Sequence, residues 1–278
     1  MIRPVLHFPD RRLKTPAVRM RRVGPAARRL ADDLRDTARA HPGTVGFAAP
    51  QIGAMWRMVW VDCTGHRRVP DPLGEMWLVD PVATSAGEPE TGREGCLSLP
   101  EVTANVRRPS RISVRALGLD GRPVSFTAEG FEARVILHEI DHLDGVLILD
   151  RVSSLARDLF PRRTGPRPSR AEGLVQRAAT LARVAHAGVR HGGAPAAAHL
   201  AAVVAGVEAA GVGDARVRAA AWLHSVPRVG IAPDELRPEF GDAVADLVTA
   251  LSAAAGEGDE GAGEVATRLL AALAAAHR

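Results

Sequence analysis

Apolar and polar positions change their spacing several times along this 278-residue chain. Between residues 25 and 40, Ala26, Leu30, Leu34 and Ala38 recur at helical spacing, and Pro42-Gly43 ends the pattern. Short runs of β-branched and aromatic residues then predict strands at Met58–Val61, Trp77–Val79, Ile112–Ala116 and Val124–Ala128, with Asp120-Gly121 as the turn between the last two. From Phe131 to Asp144 the period is helical again, and Gly145 is the expected cap. Beyond the Pro/Arg stretch 161–170 the pattern is helical throughout, and 33 of 108 residues from Ala171 to Arg278 are alanine, which favours helix over strand. The expected organisation is an α+β domain over 1–160, an Arg/Pro-rich linker over 161–170 and an all-α domain over 171–278.

Composition narrows this picture. With 46% hydrophobic and 24% charged residues the chain reads as globular. It has no apolar run long enough for a membrane span and no signal-peptide core near Met1, so a cytoplasmic location and no membrane partner are expected. Two cysteines exclude a disulfide framework. Cys63 sits in an apolar run and reads as core, whereas Cys96 lies in a glycine-flanked polar loop that suits a ligand. The net charge is +4, and Lys14 is the sole lysine. Six arginines face one acid, Asp158, between Arg151 and Arg170; the segment reads as a solvated linker or as a contact to RNA phosphates, and no DNA partner is indicated.

The sharpest chemistry is His138-Glu139-Ile140-Asp141-His142. Two histidines four residues apart share one helix face and can bind one metal ion, and the adjacent Glu139 can act as general base toward a water there. Val135-Ile136-Leu137 and Leu143 flank the motif, so its helix is expected to be buried, where two histidines need a partner that a cation would supply. No third His or Glu ligand of the common zinc-protease kind follows in the first domain. The upstream loop Glu94-Gly95-Cys96-Leu97-Ser98 offers a thiolate, and a Cys-His-His set leaves a fourth position open. A second loop, Gly43-Thr44-Val45-Gly46-Phe47-Ala48-Ala49-Pro50-Gln51, offers close backbone approach and a neutral amide donor, Gln51, suited to an oxyanion.

Together the three segments resemble the peptide deformylase family, whose members carry a glycine loop ending in AAPQ, then EGCLS, then HEIDHL, in this order. The resemblance spans roughly residues 1–160, including Pro4-Val5-Leu6 and Pro9-Asp10. It implies antiparallel sheets around a central metal-binding helix. It implies one divalent ion, typically Fe(II) with Ni, Co or Zn able to substitute, on Cys96, His138 and His142. It implies that Glu139 is the proton carrier, that Gln51 and the Leu97 N–H hold the oxyanion, and that Gly46 and Gly95 admit substrate backbone. Val45 and Val135 would line a methionine pocket. The implied substrates are formylmethionyl nascent peptides at the ribosome, with formate released. Two positions depart from the family: Thr44 stands where glycine is usual, and Leu137 where glutamine is usual. The first predicts an altered loop, the second a looser ligand orientation.

The tail resembles the start of an HD domain of the RelA/SpoT guanosine-tetraphosphate hydrolase type. Arg190, His199 and His224 match its motif positions, while Ser225 replaces the paired Asp and the later Asp-bearing segment is missing. Such a unit is expected to be degenerate and to lack a catalytic cation. Competing readings of the whole chain are a regulatory protein with a vestigial deformylase site and a nucleotide-sensing tail, or a metal hydrolase of another amide. The presence of Gln51, Cys96, His138, Glu139 and His142 together favours an active deformylase.

Overall fold

The computed structural model describes residues 1–163, 165–254 and 261–276. Thr164 of the Arg/Pro-rich stretch, residues 255–260 and residues 277–278 of the expected helical domain lie outside the described residues. The chain divides into two compact units, one of Met1–Pro100 with Ala104–Val152, the other of Glu101–Thr103 with the chain from Ser153 on.

The first unit is α+β. Helix α1 (Pro25–Arg39) starts with Pro25 in its first turn, where the missing N–H has no intrahelical role. Its buried stripe is Ala27, Ala31, Leu34 and Ala38, one residue on from the expected one at its start, and Ala26 is exposed. The small side chains at 27 and 31 pack with Phe47, Met58, Trp60 and Val79. Leu30 falls at the edge of that stripe and is half-buried.

Five strands follow: β1 (Gly46–Ala48), β2 (Met58–Val61), β3 (Met76–Cys96), β4 (Leu99–Leu117) and β5 (Pro123–Glu129), hydrogen-bonded in that order. The β1–β2, β2–β3 and β4–β5 pairs are antiparallel, with Phe47 opposite Trp60, Val59 opposite Leu78 and Val114 opposite Phe126. β2 matches its predicted span; β3 and β4 run far past theirs. Residues 84–91 of β3 are mostly exposed and polar and show no alternation, so pairing with β4, not local pattern, makes them a strand. β1 lies in the segment whose pattern reads as loop.

Helix α2 (Gly130–Leu143) is buried on nearly every face, with Ala133, Ile136, Ile140 and Leu143 in the same apolar cluster as Val59, Leu78 and Val114. Asp144 caps it, and Gly145 follows in the left-handed region at φ +71°. A Cβ there would lie 2.8 Å from the Lys14 carbonyl carbon, so glycine is required twice over.

The second unit is largely helical: α3 (Arg170–Ala185), α4 (Ala196–Ala209), α5 (Ala215–Leu223), α6 (Pro233–Phe240), α7 (Asp242–Ala254) and α8 (Ala262–Ala276), with a small hairpin pairing Arg190 and His191 to Pro195 and Ala194. Its core is its own, built on Leu181, Leu200, Val203, Leu223, Val244 and Leu269. Ser169 caps α3 through a reciprocal box with Glu172, the Ser169 hydroxyl accepting from the Glu172 N–H.

At the end of α5, the His224 Nδ1–H donates to the Ala221 carbonyl at 2.8 Å, and burial pushes the ring's pKa down to about 4. The unfolded ring titrates near 6.5, so between these values the unfolded chain binds the extra proton. Stability from this group is full above about pH 6.5 and is lost as pH falls toward 4. Wild type is expected to lose up to about 3 kcal/mol relative to His224→Gln between pH 7 and 4. Denaturant unfolding of both proteins across that range checks it, and a constant difference would refute it.

Candidate active site

α2 brings the two histidines to one face, and the end of β3 brings up Cys96. Their ligand atoms all lie within 4.8 Å of one another, with Cys96 Sγ 3.1 Å from His142 Nε2 and the two imidazoles edge to face at 5.1 Å. Cys96 and His142 are buried, and the His138 side chain is 12% exposed. Burial alone would raise the Cys96 thiol, but His142 and His138 outweigh it and hold the group well below its ordinary value. The thiolate is the form that binds a cation. Burial would lower the His138 ring, but Cys96 and Glu94 beside it outweigh that and hold it well above its ordinary value.

The donor set and the unfilled hydrogen-bond capacity around it fit a divalent cation. Glu139 Oε2 and His142 Nδ1 are buried without a hydrogen-bond partner. One thiolate and two imidazoles suit a transition metal and leave room for a further ligand.

Glu139 points into this centre, and burial raises its carboxyl pKa to about 7 against the opposing pull of His138 and His142. It packs directly on Gly46: a Cβ there would lie 2.6 Å from Glu139 Oε1 and 2.7 Å from Val135 Cγ1. Val45 packs on the cluster that contains Val135, so these two residues of the expected side-chain pocket share one apolar patch. Gln51 is held in one orientation. Its Oε1 accepts from the Ala48 N–H at 2.9 Å, which turns the amide nitrogen toward Cys96 Sγ (3.7 Å) and Ser98 Oγ (3.2 Å). The N-terminal segment ties both loops together: the Leu6 N–H donates to the Gln51 carbonyl at 2.7 Å and the Phe8 N–H to the Ser98 carbonyl at 2.9 Å. Gly95 is exposed and Leu97 half-buried on the Cys96 turn.

Around the ligands lies an ionic network that the sequence pattern did not single out. Glu94 Oε2 is 2.9 Å from His138 Nδ1, and the Arg108 guanidinium donates to both Glu94 oxygens at 2.6 and 2.9 Å. Arg134 donates to Glu94 Oε1 and to the Glu90 and Val106 carbonyls; Arg108 and Arg151 both donate to Asp141. Burial opposes the charge on Glu94, but the bonds from His138 and Arg108 override it and keep the carboxyl well below its usual range. One signal was present: Val102, Ala104, Val106 and Arg108 are the buried alternate positions of β4, so an arginine continues an inward-facing apolar series.

The two departures from the family pattern lose much of their force. The left-handed conformation near the first loop falls on Gly43 (φ +82°), and the Thr44 hydroxyl donates to the His41 carbonyl at 2.7 Å. Leu137 packs against the apolar cluster of α2, while His138 takes its orientation from Glu94. The looser ligand predicted from Leu137 is therefore not what the geometry produces.

With a buried Cys-His-His centre beside a glutamate and an oriented amide, the fold and site define a metal-dependent hydrolase. Residues 2–158 match the family described as polypeptide deformylase, and the chain belongs to that family. Residues 178–268 match the HD domain family. The chain is 42% identical over 152 residues to the peptide deformylase of Thermomicrobium roseum, covering 54% of this chain and 86% of that one. It is 40% identical to that of Desulforudis audaxviator, covering 54% and 94%. Among solved structures it resembles peptide deformylase from Ehrlichia chaffeensis (TM-score 0.52, 29% identity, 56% and 91% covered). It also resembles the Met-Ala-Ser-bound class I type b enzyme from Acinetobacter baumannii (TM-score 0.50, 31% identity, 55% and 99% covered).

Two substitutions test this geometry. Arg108→Met leaves Glu94 and Asp141 short of a buried cation and is expected to cost about 3–5 kcal/mol in chemical denaturation. Gly46→Ala must displace Glu139 or Val135; about a hundredfold loss of hydrolytic rate is expected while the melting temperature moves far less. Full activity in Gly46→Ala would contradict the packing described.

Proposed function

We propose that the first unit hydrolyses the N-formyl group of formylmethionyl peptides at the Cys96, His138 and His142 centre, releasing formate. The carrying observation is the convergence, in a deformylase-family chain, of these three ligands with Glu139 and the Gln51 amide. Members of this family are metal-dependent, and Cys96, His138 and His142 would hold the ion. When bound, the cation acts as a Lewis acid and lowers the pKa of water in the site.

The remaining steps belong to the chain's own groups. Glu139, whose Oε2 has no other partner, takes a proton from the attacking water. The water oxygen bonds to the formyl carbon, and the Gln51 amide and the Leu97 N–H donate to the carbonyl oxygen as it gains charge. The C–N bond then breaks, Glu139 returns its proton to the leaving amine, and formate and a free N-terminus result. Burial raises the Glu139 carboxyl, which favours its taking up a proton that it can then return. Gly46 and Gly95 admit the extended peptide backbone, and Val45 and Val135 receive the methionine side chain. The Acinetobacter baumannii relative, whose structure holds Met-Ala-Ser, supports a site that accepts an N-terminal methionine.

Fe(II) is the proposed native ion, as the family resemblance implies; the same thiolate and two imidazoles would also take Ni, Co or Zn. The segment Arg151–Arg170 is proposed to meet ribosomal RNA phosphates, and a cytoplasmic site of action follows from that substrate. No helix among the described residues is long and apolar enough to cross a membrane. Retention of all five functional side chains argues against a vestigial site.

Formate release from formyl-Met peptide by anaerobically purified, Fe(II)- or Ni(II)-loaded protein is the test. Glu139→Ala is expected to lower the rate about 10²–10⁴-fold and Gln51→Ala about 10²–10³-fold. No release by wild type, or undiminished release by Glu139→Ala, overturns the reading. Co-sedimentation with ribosomes is expected to weaken steeply with salt; binding indifferent to salt would exclude phosphate contacts.

A further inference from the structure

The turn before α1 and the start of that helix form a groove of about 530 Å³ on the first unit, and it shares no lining residue with the Cys96 centre. Met20, Leu30, Ala54 and Trp56 give it an apolar lining, and Arg22 and Arg29 line it as well. We propose that this groove is a docking surface for an acidic protein segment, one in which apolar side chains stand among carboxylates. The proposal is independent of the hydrolytic reading of the Cys96 centre.

Charge is the first support. From Arg11 to Arg29 the chain has eight basic residues and no acid. Arg21, Arg22, Arg28 and Arg29 are exposed, and their guanidinium groups hold no carboxylate among the described residues. Asp33 also lines the groove, but the Arg3 guanidinium already holds it at 2.9 Å. The second support is a turn fixed in an unfavourable shape. Arg21 lies in the left-handed region at φ +59°, which residues with a side chain rarely adopt. The Asp80 carboxylate holds it there, accepting from the Met20 and Arg21 N–H groups at 2.9 Å each. A turn held by tertiary bonds presents its arginines with little further ordering on binding. The third support is apolar surface left in water. Trp56 is 45% exposed, and Val18, bridged to it through the backbone, is 60% exposed. An exposed indole among aliphatic groups is the kind of anchor that interfaces cover. A nucleic-acid backbone would engage the arginines and leave the apolar lining wet. An apolar side chain between carboxylates engages both.

Panning a random-peptide phage library on the immobilised full-length protein tests the proposal. Enrichment of peptides that carry leucine, phenylalanine or tryptophan among aspartates and glutamates is expected. A fluorescein-labelled copy of an enriched peptide then gives affinities by anisotropy. Trp56→Ser and the double variant Arg22→Gln with Arg29→Gln are each expected to weaken binding roughly tenfold. Added salt should weaken it too, and replacing the peptide's acids by amides should cost about as much as the two arginines do. Circular dichroism melts verify that each variant is folded. Absence of enrichment, or enriched peptides without acids, overturns the proposal. So does affinity indifferent to both variants, or poly(U) that displaces the peptide and binds more tightly, which would assign the arginines to nucleic acid.

Discussion

The first unit depends on one buried carboxylate. Glu94 lies near the end of β3, and its two oxygens receive His138 from α2, Arg108 from β4 and Arg134 from α2. A lone buried carboxylate would be prohibitively unfavourable, so the partners must arrive together and with good geometry. That requirement locks the strand carrying Cys96 to the helix carrying both histidines. Asp141 extends the lock, tying Arg108 and Arg151 to the same helix. The ligand triangle is thus held in place by an ion network drawn from β3, β4 and α2.

The same centre holds a second buried carboxylate in the opposite condition. Glu94 is saturated with cationic donors and held well below the ordinary range, whereas Glu139 has an oxygen with no partner and is raised to about 7. Two glutamates in one site with environments that push them apart suit the two jobs proposed for them, holding the ligand helix and carrying a proton. Gly46 belongs to that division, because any side chain there would move the working carboxylate.

The second unit has an independent core and a different electrostatic character. Its relation to the HD family is shown by the match over residues 178–268, but the cavity it encloses is lined by cations and imidazoles. Much of its apolar core, Leu181, Val203, Leu223 and Val244 among it, lies apart from the side chains that face the cavity. A helical bundle keeps its packing while its chemistry changes, since the two are written at different positions of each helix.

By itself the sequence determined the elements with strong local signals and the chemistry compressed into short motifs. β2, the bounds of α2 and the identity of the ligands Cys96, His138 and His142 were legible, because a 3.6-residue or 2-residue period and a fixed motif spacing are local properties. Tertiary structure decided the rest. The buried stripe of α1 starts one residue along, because the sheet beneath selects Ala27 and Ala31 for close approach. β3 and β4 extend through polar residues because each is the other's hydrogen-bond partner. Leu137 was read as a lost polar contact, yet His138 is oriented by Glu94, 44 residues away in sequence. Arg108 shows the limit most plainly. One charged residue in an apolar alternation hints at a buried ion, but its partners come from a different strand and a helix, and only folding brings them within bonding distance.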